Sequence, residues 1–589
     1  MAQLIVSVMK PQIAAGMKGV ASAYGAVIYR AWKDAETAPE LQATIEESIQ
    51  SLAHDTIHAS DRKYFRGLRF VLGAFHENKR IKGVDSMLLR VYGPILWRSL
   101  RCANALVRAQ GTMLFFDAFP LQDSDASTVE SDAVLQKQFD LLSSLLRDVD
   151  HRVRAAAVSG VFHILEEYWE ALPLQTTRQI LSYVVGTLGQ DSSCSEVRFV
   201  VVQGLCNLLD QPLAHGILGG LLPLLSNAIH DNAEKVRVAF IHVLDKVKNI
   251  KNITYYDIVS EERLFARLAV DAARPAVATA MTKLLLNSFY PREENGSSSV
   301  QSNLEQKNRC IQFIGMNTDA AVAFYAQLHK FISVGSATKF CAMMFAILRQ
   351  PVASVDHENN KDDDDDHYEA ASAPSHPLAA RAKRRRNQEL AKRSEASEAS
   401  QTSSVPKPDA LEMKTRIGIL RVILSCFSGI ADKLKLDIHE PSRELLTRHI
   451  TTEAVADVFR SVEPTEMNMD VESLPILLKF IALVNNLLLV GIEEEPQEDV
   501  EMAVIRPSML SFESIIASFA TAWSNIDTDE SLDQIARRTK LEQQAMACAD
   551  VLYVLGKTVS YVQGNERLGP FHFILPPPHP SSYTRLPHP

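Results

Sequence analysis

DVDHRVRAAAVSGVFHIL, from Asp148, and DNAEKVRVAFIHVLDKV, from Asp231, are two copies of one pattern. Each sets an aspartate ahead of a Val-Arg pair and then runs into an apolar stripe. Between them DSSCSEVRFVVVQGLCNLL, from Asp191, repeats the order. ANALVRAQGTMLFFDAF, ending at Phe119, carries the same pair, and DAARPAVATAMTKLLLNSF, from Asp271, is a degenerate fifth copy. The pairs are Val107-Arg108, Val153-Arg154, Val197-Arg198 and Val236-Arg237, so successive arginines lie 46, 44 and 39 residues apart. In the Asp231 copy the stripe is Val236, Phe240, Val243, Leu244 and Val247, one face of an amphipathic helix.

A period of about 40–47 residues is that of two-helix HEAT repeats. Leu172–Gly186 and Leu213–Ile229 supply the preceding apolar helices, punctuated by Pro173, Pro212 and Pro223. The fold class is therefore all-α, a HEAT-repeat α-solenoid in which each repeat contacts only its neighbours. Asp148, Asp191 and Asp231 are expected at helix starts, accepting bonds from unpaired backbone N–H groups. Each arginine is expected to reach the aspartate of an adjacent repeat, forming a ladder of Asp148, Val153, Arg154, Asp191, Val197, Arg198, Asp231, Val236 and Arg237.

Outward from this core, residues 1–36 read as a partial N-terminal repeat helix and 37–291 as the solenoid. After a polar loop at 292–300, helical repeats continue to 350. Residues 351–410 hold Asp362–Asp366, Arg381–Arg386 and Lys392-Arg393 amid Ser, Ala and Pro. Such a stretch cannot bury a core and is expected to be a disordered charged linker. A second helical block covers 411–565, and 566–589 is a disordered Pro-rich tail.

Composition narrows the class. The net charge of -10 means that any nucleic-acid site must be a local patch. Seven scattered cysteines without a C-x-x-C pair point to a reducing compartment and argue against a zinc or disulfide framework. Residues 1–33 carry Lys10, Lys18, Arg30 and Lys33 and no acid, yet lack the Ser- and Arg-richness of a transit peptide. The run Phe480–Ile492 is broken by Asn485 and Asn486, so no membrane span is expected.

Catalytic signatures are missing. The sequence has no G-x-x-x-x-G-K-[ST] phosphate loop and no G-x-S-x-G elbow. His54 and His58 have the spacing of a zinc-binding helix, but Asp55 stands where a metalloprotease has Glu, and no third ligand is evident. No catalytic residue, metal, cofactor or small-molecule substrate is expected.

Basic residues are the remaining signal. Residues 61–110 hold eleven Lys and Arg against Asp61, Glu77 and Asp85, a local charge of +8. Arg62, Lys63, Arg66, Arg69, Lys79, Arg80 and Lys82 are the candidate DNA contacts, neutralising phosphates without reading sequence. The competing reading is an ordinary solvated face. A shorter cluster contains Lys235, Arg237, Lys246, Lys248 and Lys251, with Arg237 assigned to the ladder. Arg381, Lys383, Arg384, Arg385, Arg386, Lys392 and Arg393 resemble a nuclear-import signal, and Ser394, Ser397 and Ser400 form a weak phosphorylation string.

Several stretches are more specific than a generic repeat. They are YGAVIYRAWK (24–33), PILWRSLRCANALVRAQGTMLFFDAFPLQD (94–123), EVRFVVVQGLCNLLDQPLAHGILGGLLPLL (196–225), HDNAEKVRVAFIHVLDKVK (230–248) and LLLNSFYP (284–291). In this order they resemble the G-type HEAT-repeat subunits of condensin II. The resemblance implies a non-catalytic subunit of a chromosome-organising complex, acting in mitotic chromosome condensation in the nucleus. Such subunits bind a kleisin chain and help grip DNA or chromatin, while the SMC partners carry the ATPase. Members of that family are longer, so this chain is expected to be part of a larger solenoid. The alternative is a HEAT adaptor or transport scaffold, which would need a cargo groove in place of a basic stripe.

The repeat reading has a direct test. Val236→Asp places an unpaired carboxylate between stacked helices and is expected to cost roughly 3–5 kcal/mol. In a linear stack the loss spreads to neighbours first. Hydrogen exchange is expected to show lost protection around Val197 and Val277; unchanged protection there would contradict the repeat assignment.

Overall fold

A computed structural model describes residues 2–123, 126–291, 300–349, 413–434, 436–450 and 454, and every regular element among them is helical. The chain forms two compact units, Met1–Gln306 with Asp319–Gln327, and Lys307–Thr318 with the residues from Leu328 onward. The expected linker at 351–410, most of the second helical block and the tail lie outside the described residues.

The first unit opens with α1 (Ala2–Ala14) and α2 (Lys18–Asp34), where one partial helix was expected over 1–36. Gly16 divides them: its φ of +83° is a left-handed conformation that residues with a Cβ rarely adopt. Next come α3 (Pro39–His58), α4 (Arg62–His76), α5 (Val84–Ser99), α6 (Ala105–Asp117), α7 (Thr128–Leu145), α8 (His151–Tyr168), α9 (Leu174–Gly186) and α10 (Ser195–Leu208). The series continues with α11 (His215–Leu221), α12 (Glu234–Val247), α13 (Tyr255–Ile258), α14 (Glu261–Val270) and α15 (Pro275–Phe289).

The helices bearing the Val-Arg pairs pack one on the next, α6 on α8, α8 on α10 and α10 on α12, and α12 packs on α15 of the degenerate copy. Their valines Val153, Val197, Val236 and Val277 are all fully buried. Tighter contacts lock the register. The Phe116 ring fills the space beside Gly160, where an added Cβ would come within 2.0 Å of it, and Phe162 does the same at Gly204.

The expected single helix over 213–229 is not continuous. A 3₁₀ turn at Pro212–Ala214, α11 and a 3₁₀ stretch at Leu222–His230 follow one another. Gly216, Gly219 and Gly220 weaken α-helix here, and Pro223 removes a backbone donor.

Arginine–aspartate pairs run along the stack. Arg108 meets Asp148 with both bonds at 2.8 Å, Arg154 meets Asp191 at 2.9 Å through Nε, and Arg198 meets Asp231 at 2.6 and 2.9 Å. Arg237 meets Asp271 at 2.8 and 3.3 Å. Each guanidinium also donates to the loop ahead of its own helix, Arg108 to the Cys102 carbonyl, Arg154 to Asp148, Arg198 to Asp191 and Arg237 to Asp231.

The aspartates do not cap helices. Asp148 accepts from the Asp150 N–H, Asp191 from Ser193 and Cys194, and Asp231 from Ala233, all within the loops. The N-cap of α8 is Asp150, which accepts from the Arg152 N–H at 2.8 Å. Burial would raise the pKa of Asp148, Asp191 and Asp231, but hydrogen bonds from arginine, serine and loop N–H donors hold each below its ordinary value.

The last rung is the most enclosed: side-chain exposure is 12% and 13% at Arg108 and Asp148 but 1% and 0% at Arg237 and Asp271. Arg267 and Arg274 also pair with Asp271. Burial opposes ionisation of Asp271, yet Arg267 and Arg237 lower its pKa overall. The ladder stops there because Ala278 follows Val277, where the earlier copies have arginine.

A second buried polar group joins α4, α5 and α6. His76 Nε2 lies 2.9 Å from the Tyr92 hydroxyl, and Lys79 Nζ donates to the carbonyls of Ala118 and Pro120 at 2.6 Å each. Burial lowers the His76 pKa to about 4; Asp117 opposes the shift, while Lys79 and Arg69 add to it.

In the second unit α18 (Val334–Leu348), α19 (Met413–Leu434) and α20 (Glu440–His449) pack together; α16 (Val300–Met316) and α17 (Thr318–Gln327) precede them in the chain. Arg416 donates to the Leu348 carbonyl at 2.8 Å, and Gly418 admits Ile314 at close range. Among the described residues, Cys102, Cys194, Cys206, Cys341 and Cys426 are thiols outside any disulfide.

Asp271→Ala would strand Arg237 in a dry site and is expected to lower unfolding free energy by about 3–5 kcal/mol. Lys235→Ala, which removes an exposed pair with Glu196, should cost under about 1 kcal/mol. Denaturant titration of both variants checks the contrast, and equal losses would mean that burial does not govern the rungs.

The His76 shift gives a pH dependence of defined sign. The folded pKa of about 4 lies below the ordinary 6.5, so the unfolded state binds more protons between these values. The contribution, on the order of 3 kcal/mol, is present above pH 6.5 and is lost as pH falls towards 4. Melts of wild type and His76→Gln over this window are expected to show a flatter decline in the variant.

Candidate nucleic-acid interface

The basic stripe begins on α4. Asp61 caps this helix, its carboxylate accepting from the Tyr64 N–H at 2.8 Å. Phe65, Leu68, Val71, Leu72 and Phe75 form the buried face. The opposite face leaves Arg62, Lys63 and Arg66 exposed, with Arg62 and Arg66 one turn apart. The Lys63 stem lies beside Gly16, and Gly67 lets α4 close on Ile13. Lys18 is exposed and sets its ammonium 5.3 Å from the centre of the Phe70 ring. The α1–α2 turn thus adds a cation beside the three on α4.

Not every member of the stripe is available. Arg69 makes two bonds to Asp117, at 2.7 and 2.6 Å. Lys79 is turned inward to its two carbonyls and lies 3.7 Å from Asp85. Burial lowers its pKa to about 8, against the pull of Asp85. Arg80 and Lys82 are exposed but follow the far end of α4, which at 15 residues is about 22 Å long. The structure therefore separates the seven candidates into an exposed trio, an exposed pair and two residues held inside.

Two further cations of the region are also paired. Arg90 makes a forked contact with Glu46, the nearest bond being 2.7 Å, and Arg108 belongs to the ladder. The shorter cluster resolves into links between repeats. Lys235 pairs with Glu196, Lys246 contacts the Cys206 carbonyl and Asp210, and Lys248 reaches the Leu284 carbonyl at 2.8 Å. Lys251 is exposed.

His54 and His58 stack with ring centres 4.2 Å apart, exposed on α3. Among the described residues no group of three or more His, Cys, Asp or Glu is placed to hold a metal. The import-like residues Arg381, Lys383, Arg384, Arg385, Arg386, Lys392 and Arg393 and the serines Ser394, Ser397 and Ser400 lie outside the described residues.

Periodic glycines and phenylalanines were not among the residues singled out from the sequence, although they help to set the stack. Their signal was present, because Phe116 and Phe162 each stand eight residues after a ladder arginine, and Gly160 and Gly204 six.

Comparison with known proteins finds relatives of part of this chain. Residues 1–123 match the family described as condensin II non structural maintenance of chromosomes subunit. Over 370 residues the chain is 34% identical to human condensin-2 complex subunit G2, covering 61% of this chain and 32% of that protein. The Xenopus laevis protein of the same name is 35% identical, over 59% of this chain and 29% of its own length. The S. pombe condensin Cnd3-Cnd2 subcomplex aligns over 92% of this chain and 69% of the solved one, at 13% identity and a TM-score of 0.27, a superposition too loose to carry weight. The chain spans about a third of the length of the curated relatives it matches. Over roughly three-fifths of its own residues, the chain is similar in sequence to the condensin-2 complex subunit G2 proteins.

Proposed function

We propose that this chain is a non-catalytic HEAT scaffold of condensin II, holding the kleisin subunit and DNA during mitotic chromosome condensation. The SMC ATPase subunits join it through the complex, and the site of action is the chromosome in the nucleus. Kinship with the G2 subunits supports the assembly, and the sequence supplies no phosphate loop of its own. The import-like run at 381–393 fits a nuclear address.

For DNA one observation carries the reading: Arg62, Lys63 and Arg66 stand exposed together, with no carboxylate in ion-pair contact among the described residues, in a chain of net charge -10. A solvated face with no anionic partner would be expected to intersperse acids. Fixed cations on a helix face neutralise phosphates without reading bases, and nothing here resembles a groove-reading motif. Arg80 and Lys82 are secondary candidates, whereas Arg69 and Lys79 serve the fold.

The test is fluorescence anisotropy on unrelated duplexes over a salt series, with the kleisin present. Log affinity is expected to fall linearly with log salt, by about 0.9 per phosphate contact. Arg62→Glu, Lys63→Glu and Arg66→Glu together should weaken all duplexes about equally and flatten the slope by up to about 2.7. Their exposure means that the melting temperature should hold. Equal slopes for wild type and variant would remove DNA from this face.

A further inference from the structure

We infer that the exposed face of α5 is a second phosphate-contact surface, formed by Arg98, Arg101 and the indole N–H of Trp97. The inference rests on the DNA reading above but concerns a different helix. Arg90, Pro94, Trp97 and Arg101 fall within about 60° of one another around α5 and its C-terminal turn, and Arg98 flanks them. Arg90, Pro94, Arg98 and Arg101 are exposed, and Trp97 is partly so.

Charge is not balanced along this face. Glu46 takes Arg90 and the Trp32 indole N–H, so its acceptors are engaged. Arg98 and Arg101 have no carboxylate within ion-pair distance among the described residues. The Trp97 indole lies beside Gly93, where an added Cβ would sit 3.7 Å from Nε1. Its ring meets Phe115 edge-on at 6.0 Å, which fixes it while the N–H bonds to no described residue.

Two forked cations flanking a fixed neutral donor suit a phosphate backbone, which takes hydrogen bonds from arginine and from uncharged N–H groups alike.

The experiment uses the full chain with its kleisin partner and duplex DNA in the anisotropy salt series. Arg98→Glu with Arg101→Glu is expected to flatten the log–log slope by about 1.8. Trp97→Phe keeps the ring packing but removes the donor, so affinity should fall about threefold to tenfold with the slope unchanged. If the α4 triple variant flattens the slope while the α5 variants match wild type, the α5 surface is refuted and the DNA reading stands. If wild type shows no salt-dependent binding, both fall. If the α5 variants lose kleisin and keep DNA affinity, the surface serves a protein and the inference is overturned.

Discussion

Each repeat is held to the next by a planar guanidinium that bonds two things at once. One edge grips a backbone carbonyl in its own loop, and the other grips the carboxylate of the following loop, as Arg198 does with Asp191 and Asp231. That carboxylate also accepts N–H groups that would otherwise face a half-buried loop unpaired. Loop shape, helix start and inter-repeat distance are thereby tied to one side chain. Apolar stripes supply the bulk of the attraction, but they are non-directional. The rungs and the Phe–Gly contacts choose the register in which the stripes meet.

The same constraint explains why local charge is a poor guide to surface charge. Arg62 and Arg69 lie on one face of α4, yet Arg69 is half-buried because Asp117 arrives from α6 to meet it. Lys79 reaches carbonyls at the end of that same segment. What remains for a partner is the set of cations that neighbouring helices did not claim.

Much of the fold could be read from residue order. The Asp–Val–Arg sequence recurs because the packing recurs, and buried Val153, Val197 and Val236 make the period visible through apolar spacing alone. The fate of Arg69 and Lys79 could not be read, because their partners lie 39–48 residues away and include carbonyls that every residue possesses. The carboxylate roles were hidden too. Asp148 and Asp150 are chemically alike, and only the start of α8 at His151 makes the second one the cap. The broken segment 212–230 read as one helix because its apolar content outweighed three glycines and a mid-segment proline in the pattern.

The ladder also has a direction. The three middle repeats, carrying Arg154, Arg198 and Arg237, each offer an arginine forwards and an aspartate backwards, so they couple head to tail like identical links. Duplicating or deleting one whole link would leave each remaining hook engaged. A cut through the middle of a link would leave two opposite charges stranded in the interior. Ala278 is where the forward hook is absent, and Asp271 there gathers arginines from its own repeat. The ladder therefore ends at α15 although the packing does not, since Tyr325 of α17 donates to the Phe289 carbonyl and carries the stack on without a charged rung.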